Sequence, residues 1–236
     1  MAADAQATAA FYASARGAVT ARLLRERLTA IWPRLPNQSL LGIGHTGPYL
    51  RLWREHARRC IALTPAQMGA ARWPATAPSL ACSAEEDALP FADLSFDRIL
   101  LIHGLESAES ARRMLREVWR ILKDDGRLLI VAPNRTGMWA HWESTPFGHG
   151  HPYSARQLDH LLAAGLFRAE RHDAALWMPP ARMRLVLRAA PLLERAGRRL
   201  VPALAGVTIV EAVKDVYAAM PVRAVMRRRL MLAEAV

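Results

Sequence analysis

The chain has 236 residues, 52% hydrophobic and 22% charged, which suits one domain with a sizeable buried core and argues against wholesale disorder. No apolar run approaches the length of about 18 residues that a spanning helix needs. The start MAADAQATAAFYASARG lacks the basic and apolar regions of a secretory signal, so the expected location is cytoplasmic. The formal charge of +11 is uneven: residues 181–236 carry eleven basic and four acidic side chains. Only Lys123 and Lys214 are lysines, and the Ala, Leu and Arg richness reads partly as codon bias. Cys60 and Cys82 lie in apolar runs and form no CxxC pair, so core thiols are expected rather than zinc ligands.

Residues 5–30 read as a helix with Phe11, Val19, Leu23, Leu24 and Leu28 near one stripe, ended by the Trp32–Asn37 segment. Ser39–Gly44 is a short apolar strand closed by glycine. Pro48 fits the first turn of a helix whose apolar face is Tyr49, Leu50, Trp53 and Ala57. Cys60–Leu63 and Ser79–Cys82 are further strand candidates, separated by a turn, a short helix and a loop over 66–78. Ile99–Ile102 ends a strand, Phe96–Ile102, with the continuous apolar run of burial on both faces. Ala108–Leu122 is the clearest helix, with Met114, Leu115, Val118 and Ile121 at helical spacing and Gly126 placed to stop it. Leu128–Ala132 is another buried strand. Strand and helix alternate from 39 to 132, which predicts a parallel, doubly wound α/β sheet.

Residues 134–153, rich in Gly, His, Trp and Pro, read as a long loop. Ser154 is an N-cap for a helix to Ala164, Phe167–Trp177 a strand, Ala181–Leu200 an arginine-rich helix and Gly206–Val213 a last strand. Residues 223–232 read as a basic helical tail. The expected organisation is one domain over 1–236: a helical extension (1–35), a core (36–178), an inserted basic helix (179–205), the last strand (206–214) and the tail (215–236).

The turn Leu41-Gly42-Ile43-Gly44-His45-Thr46-Gly47-Pro48 follows the first strand, where ligands of open α/β sheets bind and glycine lets backbone approach them. A lone GxGxxG is weak evidence. Three blocks in order are specific: LLGIGHTGPYL, EEDALPFADLSFDRILLIHGLE and MLREVWRILKDDGRLLIVAPN resemble the successive motifs of the class I S-adenosylmethionine-dependent methyltransferases. GVTIVEAVK at 206–214 looks like the last strand of that fold, and TPFGHGHPYS resembles a subgroup of uncharacterised bacterial methyltransferase-like proteins.

The resemblance implies a Rossmann-like, mostly parallel seven-stranded sheet with added N-terminal and C-terminal helices. It implies S-adenosylmethionine as cofactor. Carried over by position, Gly42, Gly44, His45 and Gly47 border its methionine and ribose parts. Thr64 stands at the end of the second strand, Glu85 and Asp87 in the adenine block, and Leu89 in the wall after it. Two acids of the family pattern are replaced: Gly42 stands two before Gly44, and no Asp or Glu lies between Glu55 and Glu85.

A methyl transfer needs little from a protein beyond alignment and, for a hydroxyl or amine acceptor, a base. Histidine is suited to that role. The candidates are His103, just past the fourth strand, and His149 and His151 in the long loop, with His141 and His45 behind them. His149-Gly-His151 fixes no third ligand, so no metal is expected. Trp139, Trp142, Phe147 and Tyr153 either clamp a substrate or fold the loop back. The basic residues over 181–199 suit an anionic membrane, a protein partner or a solvated covering face, and show no nucleic-acid module. The readings carried forward are a methyltransferase acting on a small or lipid-like acceptor, a non-catalytic scaffold with the same fold, and a peripheral anionic-membrane or polyanion binder.

Overall fold

A computed structural model of the chain describes residues 2–69, 72–74 and 76–216; the basic tail expected over 223–232 lies outside them. Two helices, α1 (Ala2–Ala13) and α2 (Ala15–Ile31), stand in place of the single helix expected over 5–30. The break is at Ser14. Its extended backbone leaves the helix, its hydroxyl donates to the Phe11 carbonyl, and the same oxygen accepts from the Gly17 amide as the N-cap of α2.

β1 (Ser39–Gly44) enters the single-turn helix α3 (Gly47–Leu50). The longer helix expected there resolves into turns through Ala57 with mixed three- and four-residue bonds, yet Tyr49, Leu50 and Trp53 are still fully buried. β2 (Arg59–Pro65), β3 (Ala81–Ala84) and β4 (Phe96–Ile102) follow. Then come α4 (Ala111–Ile121) and β5 (Leu122–Pro133). Gly126 does not stop α4: the helix ends at Ile121, where Leu122 turns extended and its amide closes onto Val118. Phe96 pairs with Leu122, and Arg98 with Arg127, so the segment holding Gly126 bulges from the strand. α5 (Ala155–Ala164) opens with a full capping box, Ser154 and Gln157 bonding each other's amides. β6 (Phe167–Ala175), α6 (Arg184–Leu200) and β7 (Val207–Lys214) complete the chain, with α6 starting three residues later than expected.

The seven strands form one sheet in the order β3-β2-β1-β4-β5-β7-β6. β1 pairs in parallel with both β2 and β4, β2 with β3, and β4 with β5; β7 runs antiparallel between β5 and β6. The chain therefore winds outward from β1 to β3 and then crosses to β4 on its other side. That reversal leaves a crevice at the carboxyl ends of β1 and β4.

Each face of the sheet has its own core, as the continuous apolar strands require. Ile99 and Leu101 of β4 point to the layer of α4 and α5, with Leu115, Val118 and Leu158. Leu100 and Ile102 point to the layer of α1, α2 and α6, with Leu24, Leu28, Trp53 and Leu187. The loop after β5 is anchored into this second layer. Trp139 is fully buried, its indole N–H donates to the Met178 carbonyl, and its ring meets Phe11 and Phe147 edge-on. Trp139 and Phe147 thus fold the loop back, while Trp142 is exposed.

Trp139→Ala removes this anchor and leaves a cavity between the loop and α1. The expected loss is about 3–5 kcal/mol of unfolding free energy. Equilibrium guanidinium unfolding of the full chain checks it; a loss under about 1 kcal/mol would mean that the loop does not depend on this side chain.

Candidate active site

The crevice is built by the ends of β1 and β4 and covered by α1. Gly44 ends β1 at φ +89°, and a Cβ there would come within 2.2 Å of the Ile102 carbonyl. Glycine alone combines this backbone with so close an approach. The His45 amide then donates to the same carbonyl at 2.9 Å. His103, the residue after β4, is held at φ +56°, a backbone region that a non-glycine residue occupies only when its surroundings over-determine it. Together these features set His45 and His103 beside each other.

Tyr12 of α1 lies over both. Its ring stacks on His45, with centroids 4.8 Å apart and planes 13° apart, and its hydroxyl lies 2.8 Å from His103 Nε2. Tyr49 donates to the Tyr12 oxygen at 2.9 Å, and His103 Nδ1 lies 3.1 Å from Glu106 Oε1. A neutral imidazole gives each hydroxyl a partner: Nδ1–H donates to Glu106, which leaves Nε2 to accept from Tyr12, which accepts from Tyr49. Glu106 is 1% exposed, and its second oxygen has no hydrogen-bond partner among the described residues. Burial, then Tyr49 and the Glu106 charge, push the Tyr12 hydroxyl well above its ordinary pKa, so it serves as a neutral donor.

Beside this series lies a cavity of about 550 Å³, lined by Thr8 and Phe11 of α1, Gln67 and Met68 after β2, His103, Ser107 and Glu109 after β4, Glu143–Pro146, His149–Gly150 and Arg182. The Gln67 amide donates to the buried Glu86 at 2.5 Å, and the other Glu86 oxygen accepts from the Ser110 amide.

The sequence-derived residues distribute as follows. His103 and exposed His149 share this cavity, whereas His151 lines a separate one with Arg112, Arg135 and His160. Glu85 is exposed, and Asp87 pairs at the surface with Arg113. Leu89 is buried, its amide on Glu117, and Thr64 is buried within β2 opposite Ser83. The loop glycines turn their spaces toward the chain itself: Gly42 toward Thr46 and Leu50, Gly44 toward Ile102, Gly47 toward Trp73. Sequence reasoning missed Tyr12, Gln67, Glu86 and Glu106. Glu86, between the two acids singled out, and Glu106, three residues after His103, were within reach of spacing; Tyr12 was not, because only the packing of α1 brings it here.

Comparison with known proteins agrees with this architecture. Residues 40–130 match the family model described as a methyltransferase domain. The chain is 44% identical over 48 residues to the ubiquinone/menaquinone biosynthesis C-methyltransferase UbiE of Klebsiella pneumoniae, a stretch spanning 20% of this chain and 19% of that protein. It is 30% identical over 118 residues to an uncharacterised protein of Mycobacterium tuberculosis, covering 47% of this chain and 41% of that one. An S-adenosylmethionine-dependent methyltransferase from Thermotoga maritima shares the fold at a TM-score of 0.57 and 17% identity, over 86% of this chain and 93% of that one. The [4+2]-cyclase SpnF shares it at 0.51 and 20% identity, over 80% of each chain.

The matched methyltransferase domain implies S-adenosylmethionine, and the cavity's chemistry can be set against that ligand. The cofactor carries a sulfonium and an ammonium. Glu109 and Glu143 line the cavity together with Arg182, and Glu86 stands behind Gln67. This donor set fits a cationic ligand on the Gln67–Glu109 side; the glycine spaces, filled by the chain's own atoms, do not present a cradle.

His45 yields a pH signature. Burial, and secondarily the nearby His103, lower its pKa from 6.5 to about 4. As pH falls from about 6.5 toward 4, the unfolded chain takes up a proton that the folded chain refuses, so stability falls across that window, by on the order of 2–3 kcal/mol. Denaturant midpoints measured from pH 7 to 4 are expected to drop less steeply in His45→Asn than in the parent; parallel slopes would show that His45 is not held neutral.

Proposed function

We propose that the chain, whose residues 40–130 match a methyltransferase domain, moves a methyl group from S-adenosylmethionine to an acceptor whose O–H or N–H is deprotonated at His103. The observation that carries this reading is the directed series Tyr49–Tyr12–His103–Glu106 beside a cavity of suitable charge. When bound, S-adenosylmethionine supplies an electrophilic methyl group on a sulfonium centre. Gln67, oriented by Glu86, and Glu109 would hold it.

The acceptor's O–H or N–H takes the place of the Tyr12 hydroxyl at His103 Nε2, one hydrogen bond replacing another. The imidazole receives that proton as the acceptor's lone pair becomes free to attack. Glu106 fixes the Nδ1–H tautomer beforehand and stabilises the imidazolium afterwards, a charge interaction strengthened by its burial. Phe147, whose ring lies 4.6 Å from that of His103, and Phe11 keep this end of the cavity dry. The cavity admits a small acceptor or the reactive head of a lipid-like one.

One observation favours the non-catalytic reading: Tyr12 closes the glycine loop, and the loop's glycine spaces are occupied by the chain itself. The SpnF likeness adds that this fold hosts more than one reaction.

Calorimetry of the full chain with S-adenosylmethionine and S-adenosylhomocysteine separates the two. Binding of either is expected; absence of binding at millimolar ligand would leave the scaffold reading in place. In the binding-competent protein, His103→Gln is expected to lower kcat by roughly 10²–10⁴-fold while cofactor affinity stays within a few-fold. Glu106→Gln is expected to lower kcat less and to move the pH profile, since it withdraws the charge that steadies the imidazolium.

A further inference from the structure

The solvent face of α6 is apolar along its centre. Leu187, Ala190 and Glu194 turn inward, and Gly197 lies against Trp177. At about 100° per residue the opposite direction falls on Leu185 and Leu192, which are 74% and 63% exposed. Arg188, Arg195 and Arg199, all exposed, run along one flank of that line. Met183 extends the apolar surface ahead of the helix, and Leu200, Val201 and Leu204 extend it beyond. The acidic residue of α6, Glu194, is buried and taken up by the Leu176 and Met178 amides, so the outward charge of the helix is entirely positive.

Two further exposed side chains belong to loops whose neighbouring residues are tied to the segments flanking α6. Met138 belongs to the loop that Asn134 and Thr136 tie to the Ala203 and Ala205 carbonyls. Trp142 stands two residues before Ser144, which Arg16 bridges to the Pro180 carbonyl. Among the described residues, all the exposed large hydrophobic side chains except Leu80, Leu94 and Val216 lie in these segments. Single exposed leucines are ordinary; a line of them along one helix face, flanked by arginines, marks a contact surface.

We propose that α6 and its flanking loops dock on an anionic bilayer surface. Leu185, Leu192 and Leu200 enter the boundary between headgroups and acyl chains, while Arg188, Arg195 and Arg199 lay their stems beside them and reach lipid phosphates. Charge complementarity selects this occupant: a second copy of the chain would set arginine against arginine. No helix among the described residues is long and apolar enough to cross a membrane, and the attachment proposed is peripheral. Ser144 and Arg182, close in the chain to these segments, line the cavity beside His103, and the proposal places its mouth near the bilayer. Resting on the methyl-transfer reading, this adds that the acceptor is drawn from the lipid phase.

Co-sedimentation of the full chain with phosphatidylcholine vesicles, with and without phosphatidylglycerol, tests the proposal. Binding is expected to the anionic vesicles and to weaken as salt rises. Leu185→Glu combined with Leu192→Glu is expected to reduce it at least tenfold, whereas Leu94→Glu leaves it unchanged. Circular dichroism and cofactor calorimetry on the same variants report folding and the methyl-transfer site separately. Failure of the parent to bind anionic vesicles, equal binding by the double variant, or self-association of the parent that the double variant abolishes without any vesicle binding would each overturn the proposal.

Discussion

The close approach of β1 to β4 organises the candidate site. Gly44 lies against the Ile102 carbonyl where no side chain has room, and the His45 amide bonds that same carbonyl. Parallel pairing from Leu40–Arg98 to Gly44–Ile102 carries the two strands to this point in step. The chain must then leave both strands at once, and it does so through two residues of unusual backbone, Gly44 and His103. The crevice therefore opens between two histidines, a consequence of the order in which strands leave β1.

Around that point the polar groups are arranged in one direction. Buried carboxylates are costly unless paired, and Glu106 is held by the imidazole of His103. On its other side the imidazole meets Tyr12, and Tyr12 meets Tyr49, so these buried hydroxyls find partners as well. The helix that supplies Tyr12 also supplies Phe11 to the aromatic cluster of Trp139 and Phe147. Closing α1, folding back the loop after β5 and satisfying His103 are thus one packing event. The buried Glu194 ties the start of the loop after β6 to α6 in the same economical manner.

The parallel architecture was legible in the sequence because strands buried on both faces leave continuous apolar runs, as in Ile99–Ile102 and Leu128–Ala132, and because α4 spaces Met114, Leu115, Val118 and Ile121 for one face. His103 was legible by its position after such a run. Element ends were less so. The Ser14 break depends on a side chain competing with the helix for backbone groups, and the α4 terminus depends on Phe96 pairing with Leu122, a contact between distant residues. Gly126, a plausible stop by local rules, is used in a bulge instead.

By itself the sequence determined the wound α/β sheet, the glycine turn at its centre and the family that those blocks resemble, since these rest on periodicity and local spacing. Only the tertiary structure decided what the turn faces. The glycine spaces of Gly42, Gly44 and Gly47 are filled by Thr46, Ile102 and Trp73, and Tyr12 lies on His45 from a helix far away in the chain. It likewise decided that Glu86 rather than Glu85 is buried beside the cavity, and that the leucines of α6 face outward. Such choices follow from which surfaces compete for burial, and that competition exists only once the elements have packed.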